Sequence, residues 1–437
     1  MAAVALLHLG AILIGPEPGA LSVDERTYWW MTKSLVEGHG LAIENGFGER
    51  PSPELVAAAV VQRDGRLVPS PPYLFPVLAA PFYLAFGFRG LFVLNALAFA
   101  ATLALTAALA REIGMERNRA LDAALILALA TYLGDYAQGA WPHAVATLFV
   151  VAAAWAAVHG QRTDRVREKW AFAAGAIAGL GTGVRLDLVL LVPVVVAAPL
   201  AARPANRRGA LVTALGCLPG LVLLAATNRA KFGGWSPLSY GREGASLVSG
   251  VGEYLPAAAL GILLLGVGSI CLRGGRFSPT LRVGLALAAG VALLAWPMGR
   301  TVLARWAGGL WQLAVDLRAR DPSIVEPVLE RGPGGSLVYL GAVKKSLLQS
   351  CPYLTVLAMA KPPRERSRRI ALVGIPLLFV GLYAAFAWHG GLALNLRYWT
   401  PVLPFAAIGT AAALAALPPG DRRAALAAGL ATVAALA

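Results

Sequence analysis

The chain has 437 residues, 58% of them hydrophobic and only 14% charged, with a mean hydropathy of +0.65. Soluble domains carry nearer a quarter of their residues as charges, so the composition excludes a soluble enzyme and points to a chain that hides its apolar surface in lipid. The apolar runs are continuous rather than alternating, which excludes a β-barrel, and many reach the ~20 residues that cross hydrocarbon. The net charge of +15 does not mark a nucleic-acid partner, because the Lys and Arg fall in short loops between apolar runs. Cys217, Cys271 and Cys351 are scattered through apolar segments and form neither a metal site nor a disulfide framework.

Residues 1–14 read as a first membrane helix, with a signal peptide as the alternative. The basic clusters at 111–119, 162–169, 203–208, 273–282, 361–369 and 422–423 alternate with loops that are acidic, mixed or nearly uncharged. Placing every cluster in the cytoplasm gives one topology. The first helix then exits outside, and residues 15–89 form an outer loop rich in acids. Within it, residues 24–36 read as an interfacial helix with Tyr28, Trp29 and Trp30 at headgroup depth. Gly38, Gly40 and Gly46 mark turns, as does Asp64-Gly65-Arg66. Pro71-Pro72 cannot continue a helix and starts a new one, a second interfacial helix over 74–88.

Membrane spans are expected at 91–110, 120–133, 141–159, 170–181, 186–200 and 210–227. A polar outer loop over 228–254 follows, then spans at 256–272 and 283–298. Residues 299–336 form a second large outer segment, an amphipathic surface helix leading into a Gly/Pro loop at 332–335. Further spans are read at 337–360, 370–388 and 401–417, with an outer loop at 389–399 and a last span beginning at 424. The total is about thirteen, in one all-α membrane bundle over 1–437 with no soluble domain larger than a loop.

The best chemical lead is Asp24-Glu25, a carboxylate pair just outside the bilayer. Ser22-x-x-Glu25 fits a capping box, and acids in a first turn suit the helix dipole; that reading alone would account for both. In the functional reading one carboxylate is a general base that takes the proton of an acceptor hydroxyl attacking an anomeric carbon. A phosphate leaving group would need cations near the outer face. Arg397, Lys344, Lys345, Arg185 and Arg242 qualify, and His143 is a further polar group there. Each has a plainer role: Lys344 and Lys345 snorkelling at a helix end, Arg185 pairing with Asp187 across a tight turn, Arg397 anchoring at the interface. No metal cluster is visible and no cofactor is expected; a single divalent ion at the carboxylate pair stays open.

One helix, then an outer loop opening on Asp24-Glu25 before an aromatic helix, resembles the GT-C superfamily of membrane glycosyltransferases. So do the Gly38-x-Gly40 turn, Ser70-Pro71-Pro72-Tyr73, a Pro-rich interfacial helix ending Phe86-Gly87, and the span opening Gly90-Leu-Phe-Val-Leu-Asn95. Val184-Arg185-Leu186-Asp187 and Asn395-Leu396-Arg397-Tyr398 before Pro401-x-x-Pro404 are similar to the branch of protein O-mannosyltransferases and aminoarabinose–lipid A transferases. The resemblance implies a donor sugar on a polyprenyl phosphate, Asp24 as base with Glu25 its neighbour, and Tyr28, Tyr73, His143 and Tyr398 about the substrate. It implies an inner-membrane enzyme of the cell envelope whose site faces outside, acting on a glycan, lipid or protein acceptor among membrane lipids. One departure stands out: relatives often have Lys or His where this chain has Ser70. The competing class is a secondary transporter or lipid-linked sugar flippase. Against it, no inverted repeat or matching pair of broken helices is visible.

Overall fold

The computed structural model describes residues 2–15, 19, 23–44, 59–161, 167–202, 206–246, 297–315, 328–331, 337–340, 346–360, 365–385, 393–418 and 420–421. Its helices are α1 (Ala2–Ile14), α2 (Val23–Val36), α3 (Leu74–Phe86), α4 (Arg89–Glu112), α5 (Arg117–Leu129), α6 (Leu133–Ala137), α7 (His143–His159), α8 (Arg167–Val184), α9 (Leu191–Ala201) and α10 (Arg207–Phe232), then α11 (Pro297–Ala314), α12 (Leu347–Ser350), α13 (Arg366–Arg369), α14 (Ile375–Ala385) and α15 (Leu403–Ala416). Two small antiparallel hairpins join them: β1 (Val60–Arg63) with β2 (Arg66–Pro69), and β3 (Val328–Arg331) with β4 (Leu337–Leu340). Contacts divide the chain into two compact units. The first is Met1–Glu253, Ala360–Ile375 and Leu403–Ala416; the second is Tyr254–Met359, Pro376–Val402 and Leu417–Ala437.

In the first unit, α1 packs on α4. The last carbonyls of a helix have no partner within it. Arg89 supplies one for α1, donating to Ile12 O at 3.1 Å, Leu13 O at 2.9 Å and Gly15 O at 3.0 Å. Helix α2 opens on Asp24 and Glu25 and carries Lys33 in its last turn, the charge order its dipole favours. Gly38 and Gly40, at φ +82° and +70°, turn the chain after it. Asp64 and Gly65 both have positive φ, +48° and +73°, as two-residue hairpin loops require. A bridge from Ile43 to Leu67 ties that hairpin to the chain leaving α2.

The tightest helix pair is α8 on α10. A Cβ at Gly175 would strike the Thr213 carbonyl, one at Gly179 the Cys217 carbonyl, one at Gly216 the Phe172 carbonyl and one at Gly220 the Gly179 backbone. Two Gly-x-x-x-Gly pairs therefore face each other and bring the backbones together. Lipid offers no hydrophobic drive between helices, so such small-residue contacts carry membrane helix packing. Elsewhere in the unit, α15 packs on α5, and the π-helical turn Ile370–Gly374 packs on α9. In the second unit, Gly309 of α11 lies against the Ala384 carbonyl of α14, again too close for a Cβ.

Among the described residues, three helices are long and apolar enough to cross a membrane: Arg89–Glu112, Arg207–Phe232 and the continuous Leu396–Ala416. Four shorter apolar helices accompany them: Leu74–Phe86, His143–His159, Leu186–Ala201 and Ile370–Ala384. The chain is an integral, multi-pass membrane protein. The expected spans at 256–272 and from 424, and nearly all of 283–298, lie outside the described residues.

Three expectations are corrected. Residues 337–360 do not form a membrane helix; they hold β4, α12 and a 3-10 helix at Pro352–Met359. The cause is local: Ser346 and Gln349 form a capping box that starts α12, and Pro352 brings no N–H to continue it. Residues 228–232, expected in a loop, form the last turn of α10, which stops at Gly233 in a left-handed cap. Residues 393–402, expected as a loop with the start of a span, form a 3-10 helix leading into α15.

The α8–α10 contact yields a prediction. Gly179→Leu inserts a side chain where no Cβ fits, and such overpacking costs about 1–3 kcal/mol or more. Thermal unfolding in detergent should show a lowered Tm. An unchanged Tm would mean that the two helices do not meet at Gly179.

Candidate active site

The acidic pair divides in the folded chain. Asp24 is half-buried, whereas Glu25 is 1% exposed. The Glu25 carboxylate also reaches beyond its own helix. Its Oε1 accepts the Ala140 backbone N–H at 3.0 Å. Ala140 sits in the corner between α6 and α7, and Asn95 of α4 holds that corner as well. Its Nδ2 donates to Gly139 O at 2.6 Å and to Trp141 O at 2.8 Å. A Cβ on Gly139 would run into the Trp141 indole, so the corner accepts only glycine there.

Beyond the corner, Trp141 donates from Nε1 to Tyr136 O at 3.2 Å and meets the His143 ring edge-on, centroids 5.6 Å apart. His143 opens α7, and its Nδ1 is hydrogen-bonded to Arg185 Nη1. Arg185 is extended between α8 and the 3-10 turn Leu186–Leu190. It forks onto Asp187, Nε to Oδ1 at 3.0 Å and Nη2 to Oδ2 at 2.7 Å. His143, Arg185 and Asp187 are all buried. Removing charges from water costs several kcal/mol per ion, and only a two-pronged geometry of this kind offsets it. A single run of contacts thus leads from Glu25 through Ala140, Trp141 and His143 to Arg185 and Asp187.

A second set of contacts fixes the loop between α2 and α3. Tyr28, one turn after Glu25, meets Phe75 edge-on at 5.3 Å. Tyr73 donates its hydroxyl to Leu41 O at 2.7 Å, and burial pushes its phenol pKa up. Under this corner lies Lys231, from the last turn of α10 and 2% exposed. Its Nζ donates to Pro71 O at 2.8 Å and Ser70 O at 3.3 Å, and lies 5.0 Å from the Tyr73 ring centre. Arg63 of β1 closes the same junction, donating to Lys231 O at 2.9 Å.

Of the residues singled out from sequence, Glu25, His143 and Arg185 come together in one contact run, with Tyr28 and Tyr73 on α2 and at the start of α3. Arg242 is exposed in the loop after α10, its backbone N–H on Ser239 Oγ at 3.3 Å. Arg397 and Tyr398 belong to the second unit. There the Arg397 Nη2 donates to the Tyr398 hydroxyl at 2.9 Å, and Tyr398 stacks on Tyr383 at 4.8 Å. Lys344 and Lys345 lie outside the described residues. Among the described residues no group of three or more His, Cys, Asp or Glu is placed to share a metal ion.

Two participants escaped the sequence reading. Asn95 was legible as a lone amide inside an apolar helix, where polar side chains face the bundle interior. Lys231 was not, because its place depends on α10 running one turn further than hydropathy suggests.

Residues 70–228 match the family of dolichyl-phosphate-mannose-protein mannosyltransferases, a little over a third of the chain. The matched stretch holds Tyr73, Asn95, the 139–143 corner and Arg185–Asp187; Asp24 and Glu25 precede it. Among solved structures, the chain is similar to the apo oligosaccharyltransferase of Archaeoglobus fulgidus, at TM-score 0.53 and 15% identity over 95% of this chain and 49% of that one. The same organism's AglB, solved with an inhibitory peptide and a dolichol-phosphate, gives TM-score 0.51 and 14% identity over the same shares. ArnT from Cupriavidus metallidurans bound to undecaprenyl phosphate gives 0.49 and 15%, over 99% of this chain and 62% of that one. The chain spans about half the length of the first two. No curated protein matches the sequence.

Lys231 gives a stability prediction. Lys231→Met keeps the stem and removes the ammonium, so the Ser70 and Pro71 carbonyls lose their buried donor. Leaving such groups unpaired costs about 1–3 kcal/mol. The variant should unfold at lower temperature and be cut faster by protease within the first outer loop. Parent-like cleavage would show that Lys231 does not seat the loop.

Proposed function

We propose that the protein transfers a sugar from a polyprenyl-phosphate-linked donor to an acceptor on the outer side of the membrane, by a single inverting displacement. The observation that carries this reading is the split of the acidic pair. Glu25 is committed to the Ala140 backbone, while Asp24, beside it in the first turn of α2, is half-buried. A general base needs access to the hydroxyl it deprotonates, at ~3 Å and on the face opposite the leaving group. Asp24 has that access and Glu25 does not. The family match over residues 70–228 supports the reaction class.

In this reading the donor phosphate needs a cation, and the sequence offers Arg185, Arg242, Arg397, Lys344 and Lys345 as candidates. Arg397 is the first to test, because a planar guanidinium suits a phosphate better than an ammonium does; it lies over the Tyr398 ring and donates from Nη2 to the Tyr398 hydroxyl. Arg185 already forks onto Asp187 and contributes its charge rather than a new fork. Tyr28, Tyr73 and His143 are buried, and with Tyr398 they are the residues proposed from the sequence for the substrate. The acceptor is a glycan, lipid or protein of the cell envelope, and the site faces outward by the positive-inside pattern of the loops.

The test is turnover by the purified protein in detergent, supplied with polyprenyl-phosphate sugars and membrane acceptor extract. It should release polyprenyl phosphate and give a product of inverted anomeric configuration. Arg397→Ala should weaken donor use about tenfold or more, and Arg397→Lys should restore only part of it. Full activity in Arg397→Ala would remove Arg397 from the site. Retained configuration would overturn the single displacement.

A further inference from the structure

The corner between α6 and α7 is gripped from two sides by side chains remote in sequence. Glu25, on α2, accepts the Ala140 N–H at 3.0 Å. Asn95, on α4, donates to the carbonyls on either side of that same residue, Gly139 O at 2.6 Å and Trp141 O at 2.8 Å. The two N–H groups of the Asn95 amide and the Glu25 carboxylate thus hold three consecutive residues. Both gripping side chains are buried, Asn95 at 0% and Glu25 at 1% exposed, and Ala140 between them is at 0%. A polar group inside a membrane bundle is costly unless it has a task. Here two such groups converge on one short stretch of backbone. What the stretch carries onward is Trp141, packed on His143, and His143 bonded to Arg185.

We infer that Glu25 and Asn95 are positioning residues: together they clasp the Gly139–Trp141 corner and so set the His143–Arg185–Asp187 group relative to helix α2, leaving proton transfer to Asp24. This inference rests on the glycosyltransferase reading for what the clasp serves, but not for the clasp itself. It separates two neighbouring acids by task. Glu25 needs an oxygen acceptor, not a charge. Asp24 needs the charge. Asn95 needs both amide donors.

Two measurements test it. The first is segmental hydrogen exchange over residues 136–142 in detergent. Glu25→Leu and Asn95→Leu should each speed exchange of that segment at least tenfold, and Glu25→Gln, which keeps an acceptor oxygen, should speed it far less. Unchanged exchange in Asn95→Leu overturns the clasp whether or not the protein transfers sugar. The second is turnover, corrected for folded fraction. Displacement of a catalytic array by about 1 Å can cost ~10²-fold, so Glu25→Leu and Asn95→Leu should lower kcat by about that much. The double variant should lose little more than the worse single one, because both act on one corner. Glu25→Gln should lose less than tenfold and keep the parent's pH–rate profile. A hundredfold loss in Glu25→Gln with a changed profile makes Glu25 a proton-transfer group and overturns the division. Parent-like kcat per folded molecule in both Leu variants also overturns it, leaving a clasp that serves stability alone. A parent that transfers no sugar from any polyprenyl-phosphate donor defeats the glycosyltransferase reading separately, and exchange at 136–142 still decides the clasp.

Discussion

One hydrogen bond across 115 residues, from the Ala140 N–H to the Glu25 carboxylate, joins the loop-borne helix α2 to the membrane bundle at the place where chemistry is proposed. It adds to the ring contacts of Tyr28 with Phe75 and of Trp29 with Phe88. With it, the orientation of Asp24 follows from Glu25, because neighbouring positions in one helical turn move together. The constraint comes from the medium. In a bundle that excludes water, each buried backbone N–H and C=O needs a partner, and the corner at 139–141, being neither helix nor strand, borrows an acceptor and two donors from side chains. Glu25 and Asn95 meet that demand, and in doing so they fix two helices to one corner.

The same demand explains the buried charges. Arg185 and Asp187 satisfy each other two residues apart in sequence, so their pairing is local and survives movements elsewhere. Among the described residues no carboxylate pairs with Lys231. It is held by two backbone carbonyls and two aromatic faces. An ammonium is a compact charge with three donors, well suited to bind carbonyls left open where Pro71 and Pro72 interrupt regular structure. The ammonium approaches the Ser70–Pro71 peptide from α10. The loop between α2 and α3 is therefore held by Lys231, and α2 by the Ala140 contact.

Much of this was legible in the sequence, and the losses have physical causes. The membrane class, the helix after Asp24-Glu25, the turn at Asp64-Gly65 and the helix start after Pro71-Pro72 all follow from hydropathy and local backbone chemistry. The Arg185–Asp187 pair was legible for the same reason: its partners are two residues apart. What could not be read was long-range. Glu25 looked like a capping residue or a catalytic acid because its true partner lies 115 positions away. Asn95 stood out only as part of a motif, not as the other half of a grip. The expected span over 337–360 failed because hydropathy sums over a window and does not register the Ser346 cap or the Pro352 stop that cut it into short pieces. The glycines of α8 and α10 form the contact surface between the two helices, a pairing that hydropathy does not register.

The central claim is that Asp24 takes the acceptor proton. The measurement is turnover by an Asp24→Asn variant purified in detergent, with its Tm compared with that of the parent. Asn keeps the size and an acceptor oxygen, so any capping contribution should change stability by under about 1 kcal/mol. Loss of a general base typically lowers rate by ~10²–10⁴-fold. The account predicts an unchanged Tm with turnover down at least about a hundredfold. Turnover within a few-fold of the parent at the same Tm would contradict it.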